Sequence, residues 1–67
     1  MKTIGIVEDD RLLNEALAKM LEKNGYQPFQ AHTLEEGMKL IRQKPELIIL
    51  DINLPDGEGT RICQAAR

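Results

Sequence analysis

Thr3-Ile4-Gly5-Ile6-Val7-Glu8-Asp9-Asp10 is an apolar run that stops abruptly in three acids. A short stretch without polar alternation suits a strand covered on both faces, as in a parallel sheet. A second such run, Leu47-Ile48-Ile49-Leu50, also ends in an acid, Asp51. Between the two lie signals for a helix, a strand and another helix, so the chain alternates in the manner of an α/β sheet with right-handed crossovers.

Outward from the first strand, Leu12, Leu13, Ala16, Leu17, Met20 and Leu21 recur at helical spacing, with Arg11, Asn14, Glu15, Lys19, Glu22 and Lys23 opposite them. The pattern predicts an amphipathic helix that buries the leucine and methionine stripe. Asp10 stands at the N-cap, and Asn24-Gly25 supplies a left-handed stop. Tyr26-Gln27-Pro28-Phe29-Gln30-Ala31 alternates like a strand, and Pro28, which lacks a ladder donor, assigns it to a sheet edge. Thr33-Leu34-Glu35-Glu36 has capping-box spacing, with each side chain placed to accept from the other residue's backbone N–H. The helix that follows packs Leu34, Met38 and Ile41, admits a close neighbour at Gly37, and ends before Pro45. After the third strand, Pro55 and Asp56-Gly57 are turn residues. Thr60-Arg61-Ile62-Cys63-Gln64-Ala65-Ala66-Arg67 reads as two helical turns without a stop signal, which suggests a sequence that continues.

Composition narrows the function classes. A chain of 67 residues with 42% hydrophobic and 30% charged residues reads as one small soluble domain, with no apolar run of bilayer length. Nine Lys plus Arg against eleven Asp plus Glu, a net charge of -2, argue against a general phosphate-backbone binder. The single cysteine, Cys63, cannot form an internal disulfide, which points to a reducing cytoplasm, and the N-terminus lacks signal-peptide features. Cys63 is read as a packing residue. His32 has no second imidazole with which to share a metal and precedes a helix cap, so it is given no catalytic role.

Open parallel sheets bind ligands beyond the carboxyl ends of their strands. If the strands over 3–7 and 47–50 are neighbours, Glu8, Asp9, Asp10 and Asp51 converge there. Like charges at close range raise one another's pKa unless a cation neutralises them, and hard oxygen donors favour Mg²⁺. Taken singly, Asp10 is explained as a cap and Asp51 as a loop-starting Asp. Neither reading accounts for Glu8 and Asp9 as well.

Val7-Glu8-Asp9-Asp10, together with Leu50-Asp51-Ile52-Asn53-Leu54-Pro55-Asp56-Gly57-Glu58-Gly59, resembles the first two signature segments of the receiver domain of two-component response regulators. The resemblance runs over residues 1–67 but covers about the first half of a receiver. It implies a flavodoxin-like α/β fold, cut after strand three and the start of helix three, with three parallel strands in the order 2-1-3. It implies that Asp51 takes a phosphoryl group from a sensor histidine kinase and that Asp9 ligates Mg²⁺ directly. Glu8 would act through a water, and Asn53 would offer its backbone carbonyl. Pro55, Gly57 and Gly59 would shape the loop.

A receiver also uses a hydroxyl residue after its fourth strand and a lysine after its fifth. Here Lys2, Lys19, Lys23, Lys39 and Lys44 all precede the end of the third strand, so impaired phosphorylation and switching are expected of the 67 residues alone. Transcription control, with DNA contacts, would fall to an output domain outside this chain. A Toprim-like Mg²⁺ enzyme of nucleic acids is a weaker match, because Asn53 stands where its second Asp would be. A third reading is a truncated receiver that only associates, with a second copy or with a C-terminal half, through the edge of its third strand.

Overall fold

The computed structural model describes residues 2–50, 53, 54 and 56–66. The elements are β1 (Thr3–Val7), α1 (Arg11–Lys23), β2 (Gln27–Ala31), α2 (Leu34–Ile41), β3 (Leu47–Leu50), β4 (Asn53–Leu54), β5 (Gly57–Glu58) and α3 (Thr60–Ala66). Strands β2, β1 and β3 form a parallel sheet in the order 2-1-3. The register runs from Thr3↔Gln27 to Val7↔Ala31 on one side of β1 and from Ile4↔Leu47 to Val7↔Leu50 on the other. Central β1 is the apolar run, and β2 with Pro28 is an edge.

Alternation along β1 divides the core into two layers. Ile4 and Ile6 pack with Ala18 and Leu21 of α1. On the opposite face Val7 packs with Ala31, Leu34, Leu40 and Ile62, drawn from β2, α2 and α3. Gly37 is a point of close approach there. A Cβ added to it would collide with Ile62 Cδ1 and lie 3.1 Å from Val7 Cγ1.

Local signals at the helix ends hold in detail. Asp10 Oδ1 accepts from the N–H groups of Leu12 and Leu13 at 3.0 and 3.2 Å. At the other end of α1 Gly25 has φ of 85°. The Tyr26 N–H donates to Leu21 O and the Gly25 N–H to Glu22 O, the paired bonds of a Schellman stop.

Other expectations need correction. The buried residues of α1 are Asn14, Ala18 and Leu21, whereas Leu12, Leu13 and Met20 are 85%, 46% and 50% exposed. The helix is therefore rotated towards Asn14, whose amide meets backbone partners that an apolar side chain could not satisfy. In the capping box, Thr33 Oγ1 accepts from the Glu36 N–H as expected. Glu36 Oε1 instead accepts from the His32 N–H, one residue upstream of the cap, at 2.8 Å. Leu40 joins Leu34 and Gly37 as a buried residue of α2, with Met38 and Ile41 only partly buried. The α-helix ends at Ile41, and i to i−3 bonds from Arg42, Gln43 and Lys44 close it before Pro45. The loop after β3 contains an unforeseen two-residue antiparallel ladder, Asn53↔Glu58 and Leu54↔Gly57. Among the described residues no helix is long and apolar enough to cross a membrane.

Candidate functional site

Because β1 and β3 are parallel and Val7 is the register partner of Leu50, the loops that follow them leave from the same end of the sheet. The first loop carries Glu8, Asp9 and Asp10. Glu8 is half-buried and Asp9 is exposed. Asp10 is committed to capping α1, which leaves Glu8 and Asp9 as the acids of this loop without that role.

The peptide of Glu8 is fixed on both sides. Its N–H donates to the Ala31 carbonyl at 3.0 Å, and its carbonyl accepts from Asn14 Nδ2 at 3.0 Å. The same amide nitrogen donates to Ala31 O at 2.9 Å, and Asn14 Oδ1 accepts from Gln30 Nε2 at 2.8 Å. Asn14 has no exposed surface. A buried amide with all its partners supplied is a rigid brace, and this one ties the first acidic loop to the end of β2. Helical periodicity placed Asn14 on the outer face, since residue polarity alone cannot report a partner seventeen positions away.

The second loop leaves β3 and enters α3. Asp51 lies outside the described residues. Asn53 is described through its backbone in β4, which pairs with β5. Asp56, expected only as a turn residue, has a longer reach: its carboxylate accepts from the backbone N–H groups of Leu34 and Glu35 at the start of α2. The Leu34 hydrogen bond, above all, holds its carboxyl below the ordinary Asp range; desolvation opposes it, and the Glu35 hydrogen bond adds a smaller lowering. Glu36 is likewise lowered, chiefly by the His32 backbone N–H.

His32 serves the helix start. Its Nδ1 lies 3.5 Å from Glu36 Oε1. An open groove beside β2 and α2, lined in part by Phe29, His32, Glu36 and Lys39, does not include Glu8 or Asp9. Among the described residues no three His, Cys, Asp or Glu side chains gather into an ion cage.

Comparison with known proteins covers nearly the whole chain. The family model for the response regulator receiver domain matches residues 4–67. The KDP operon transcriptional regulatory protein KdpE of Escherichia coli is 40% identical over 68 residues, covering 100% of this chain and 30% of KdpE. The transcriptional regulatory protein AfsQ1 of Streptomyces coelicolor is 37% identical, with the same coverage. This chain thus spans about a third of the length of those relatives.

Among solved structures, a CheY-like receiver domain protein from Methanospirillum hungatei superposes with a TM-score of 0.93 at 37% identity, covering 98% of this chain and 54% of that one. The response regulator TrrA of Thermotoga maritima, solved in complex with Mg²⁺ and BeF, gives 0.87 at 32% identity, covering 96% and 56%. A sheet in the order 2-1-3, acids at the ends of β1 and β3, and a family match over nearly the whole sequence agree. The chain belongs to the response regulator receiver domain family.

Proposed function

We propose that residues 1–67 correspond to the N-terminal half of a receiver domain and carry its phosphoacceptor site, with Asp51 as the acceptor. The observation that carries this reading is the Val7↔Leu50 register, because the residue following each partner in the chain is an acid, Glu8 and Asp51. The Asp51 carboxylate attacks phosphorus, one oxygen–phosphorus bond forms, and the bond to the phosphohistidine nitrogen of a sensor kinase breaks.

The donor set is all hard oxygen, which fits Mg²⁺. Asp9 and Asp51 would hold the ion directly, Glu8 through a water and Asn53 through its backbone carbonyl. When bound, the ion neutralises the crowded carboxylates and the charge on the phosphoryl oxygens. Asp9 stays exposed at the strand end and keeps its oxygens open to an ion, while Asn14 and Ala31 hold the backbone of Glu8 in place.

A receiver is a signalling module rather than a classical enzyme. By likeness to relatives named as transcriptional regulators, the protein acts in the cytoplasm and controls transcription through an output domain outside this chain. DNA contacts belong to that domain.

Titration with fluoroberyllate in the presence of Mg²⁺ tests the reading. The mimic is expected to bind the wild type and not Asp51→Asn. Equal binding by both, or binding by neither, overturns it and leaves the chain as an association module.

A further inference from the structure

The two acidic loops are tied to one short segment of backbone. Ala31 O holds the first loop through the Glu8 N–H and the Asn14 amide. Leu34 and Glu35, three and four residues further on, hold the second loop through Asp56. The connection between β2 and α2 is therefore a common platform for both halves of the site.

The tie at Asp56 exceeds what the helix start can obtain locally. In α2 the Gly37 N–H already reaches Thr33 O, and the Glu36 N–H reaches Thr33 Oγ1. The Leu34 and Glu35 N–H groups remain, and the acceptor for both comes from a residue more than twenty positions away. A second contact supports the same approach: a Cβ added to Gly57 would lie 2.5 Å from Leu34 Cδ2, so the loop backbone rests directly on the first residue of α2. The span 51–55 then runs between two anchored ends. One is Leu50, paired with Val7, and the other is Asp56. Leu50 and Asp56 thus fix where the chain leaves β3 and where it meets α2.

We propose that Asp56 is a positioning residue for Asp51: its two hydrogen bonds tie the loop after β3 to the start of α2, and phosphoryl acceptance at Asp51 depends on that tie. This rests on the reading of Asp51 as the acceptor. Asp56 is assigned no contact with the reacting atoms. It acts through backbone, as misplacement by about 1 Å can cost about a hundredfold in rate.

The test compares wild type, Asp56→Asn and Asp56→Ala by two readouts. Amide hydrogen exchange at Leu34 and Glu35 reports the tie without any phosphorylation. Labelling with acetyl phosphate and Mg²⁺ reports the consequence, as initial rate against acetyl phosphate concentration. In Asp56→Ala the two amides are expected to exchange about tenfold faster, the loss of a cap. The maximal labelling rate is expected to fall about tenfold or more with little change in the half-saturating concentration. Asp56→Asn, whose amide oxygen still accepts, is expected to restore most of both. If the alanine variant does not fold, Asp56→Ser, too short to serve both amides, takes its place: amide protection and labelling rate falling together support the proposal. Faster amide exchange with an unchanged labelling rate overturns the positioning role alone. A wild-type protein that takes no label at Asp51 overturns the acceptor reading, and the positioning role with it.

Discussion

The side-chain amide of Asn14, in the first turn of α1, donates to the main-chain carbonyl of Ala31 at the end of β2 over 2.9 Å. It also holds the Glu8 carbonyl, so one buried residue joins a helix, an edge strand and an acidic loop. Replacing it with Leu is nearly the same size but leaves the Glu8 carbonyl and the Gln30 amide without this partner. The expected loss is about 2 kcal/mol, seen as a lower urea midpoint at unchanged m-value. An unchanged midpoint would mean that water replaces the amide.

Gly37 faces Ile62 and Val7 with no room for a methyl group. Alanine would gain about 1 kcal/mol in helix propensity, yet overpacking costs about 1–3 kcal/mol, so Gly37→Ala is expected to be neutral to destabilising. Ile62→Val removes the Cδ1 atom that the new Cβ would strike. The double variant is expected to lose less stability than the sum of the two single changes, measured as a double-mutant cycle in urea. Strict additivity would show that the contact is not what limits the site.

Acid should loosen the start of α2. Asp56 and Glu36 both have carboxyl pKa values lowered in the folded state, by the Leu34 and His32 backbone N–H groups respectively. A depressed folded pKa contributes stability above the unfolded value, which is lost as pH falls through the folded one. Stability is therefore expected to decline below pH of about 4. The urea midpoint between pH 7 and pH 3 is the measurement, and Asp56→Asn and Glu36→Gln should each flatten the decline. Variants with the wild-type slope would contradict the assignment.

Strand β3 is paired with β1 on one side, and Leu47 is 58% exposed. Among the described residues β1 is its one strand neighbour, and an apolar strand without a second neighbour is a template for another backbone. The 67-residue chain is expected to self-associate with rising concentration in light scattering, and Leu47→Lys is expected to reduce this. A folded monomer at dilute and concentrated loading would contradict the expectation.

What the sequence made legible was whatever it encoded locally. The apolar runs ending in acids marked β1 and β3, Pro28 marked the edge, and Asp10 and Asn24-Gly25 bounded α1. The misses at Asn14 and Asp56 involve partners distant in the chain. Asn14 is buried because Ala31 and Gln30 receive it, and a hydrophobic pattern cannot register that. Leu12, scored as core by the same pattern, is 85% exposed. Asp56 followed by glycine has the sequence of a turn, while its hydrogen bonds to Leu34 and Glu35 depend on how α2 is placed. The acids themselves were legible as chemistry because their spacing at two strand ends has few structural explanations. That β1 and β3 are neighbours followed only from the resemblance, and the strand order shows it.

The most direct test of the acceptor site is to label the protein with acetyl phosphate and Mg²⁺, then reduce the acyl phosphate with borohydride and map the modified residue by peptide mass spectrometry. The account predicts modification at Asp51, abolished by chelating Mg²⁺ and by Asp51→Asn. Modification at another carboxylate, or labelling at Asp51 that persists after Mg²⁺ is removed, would contradict it.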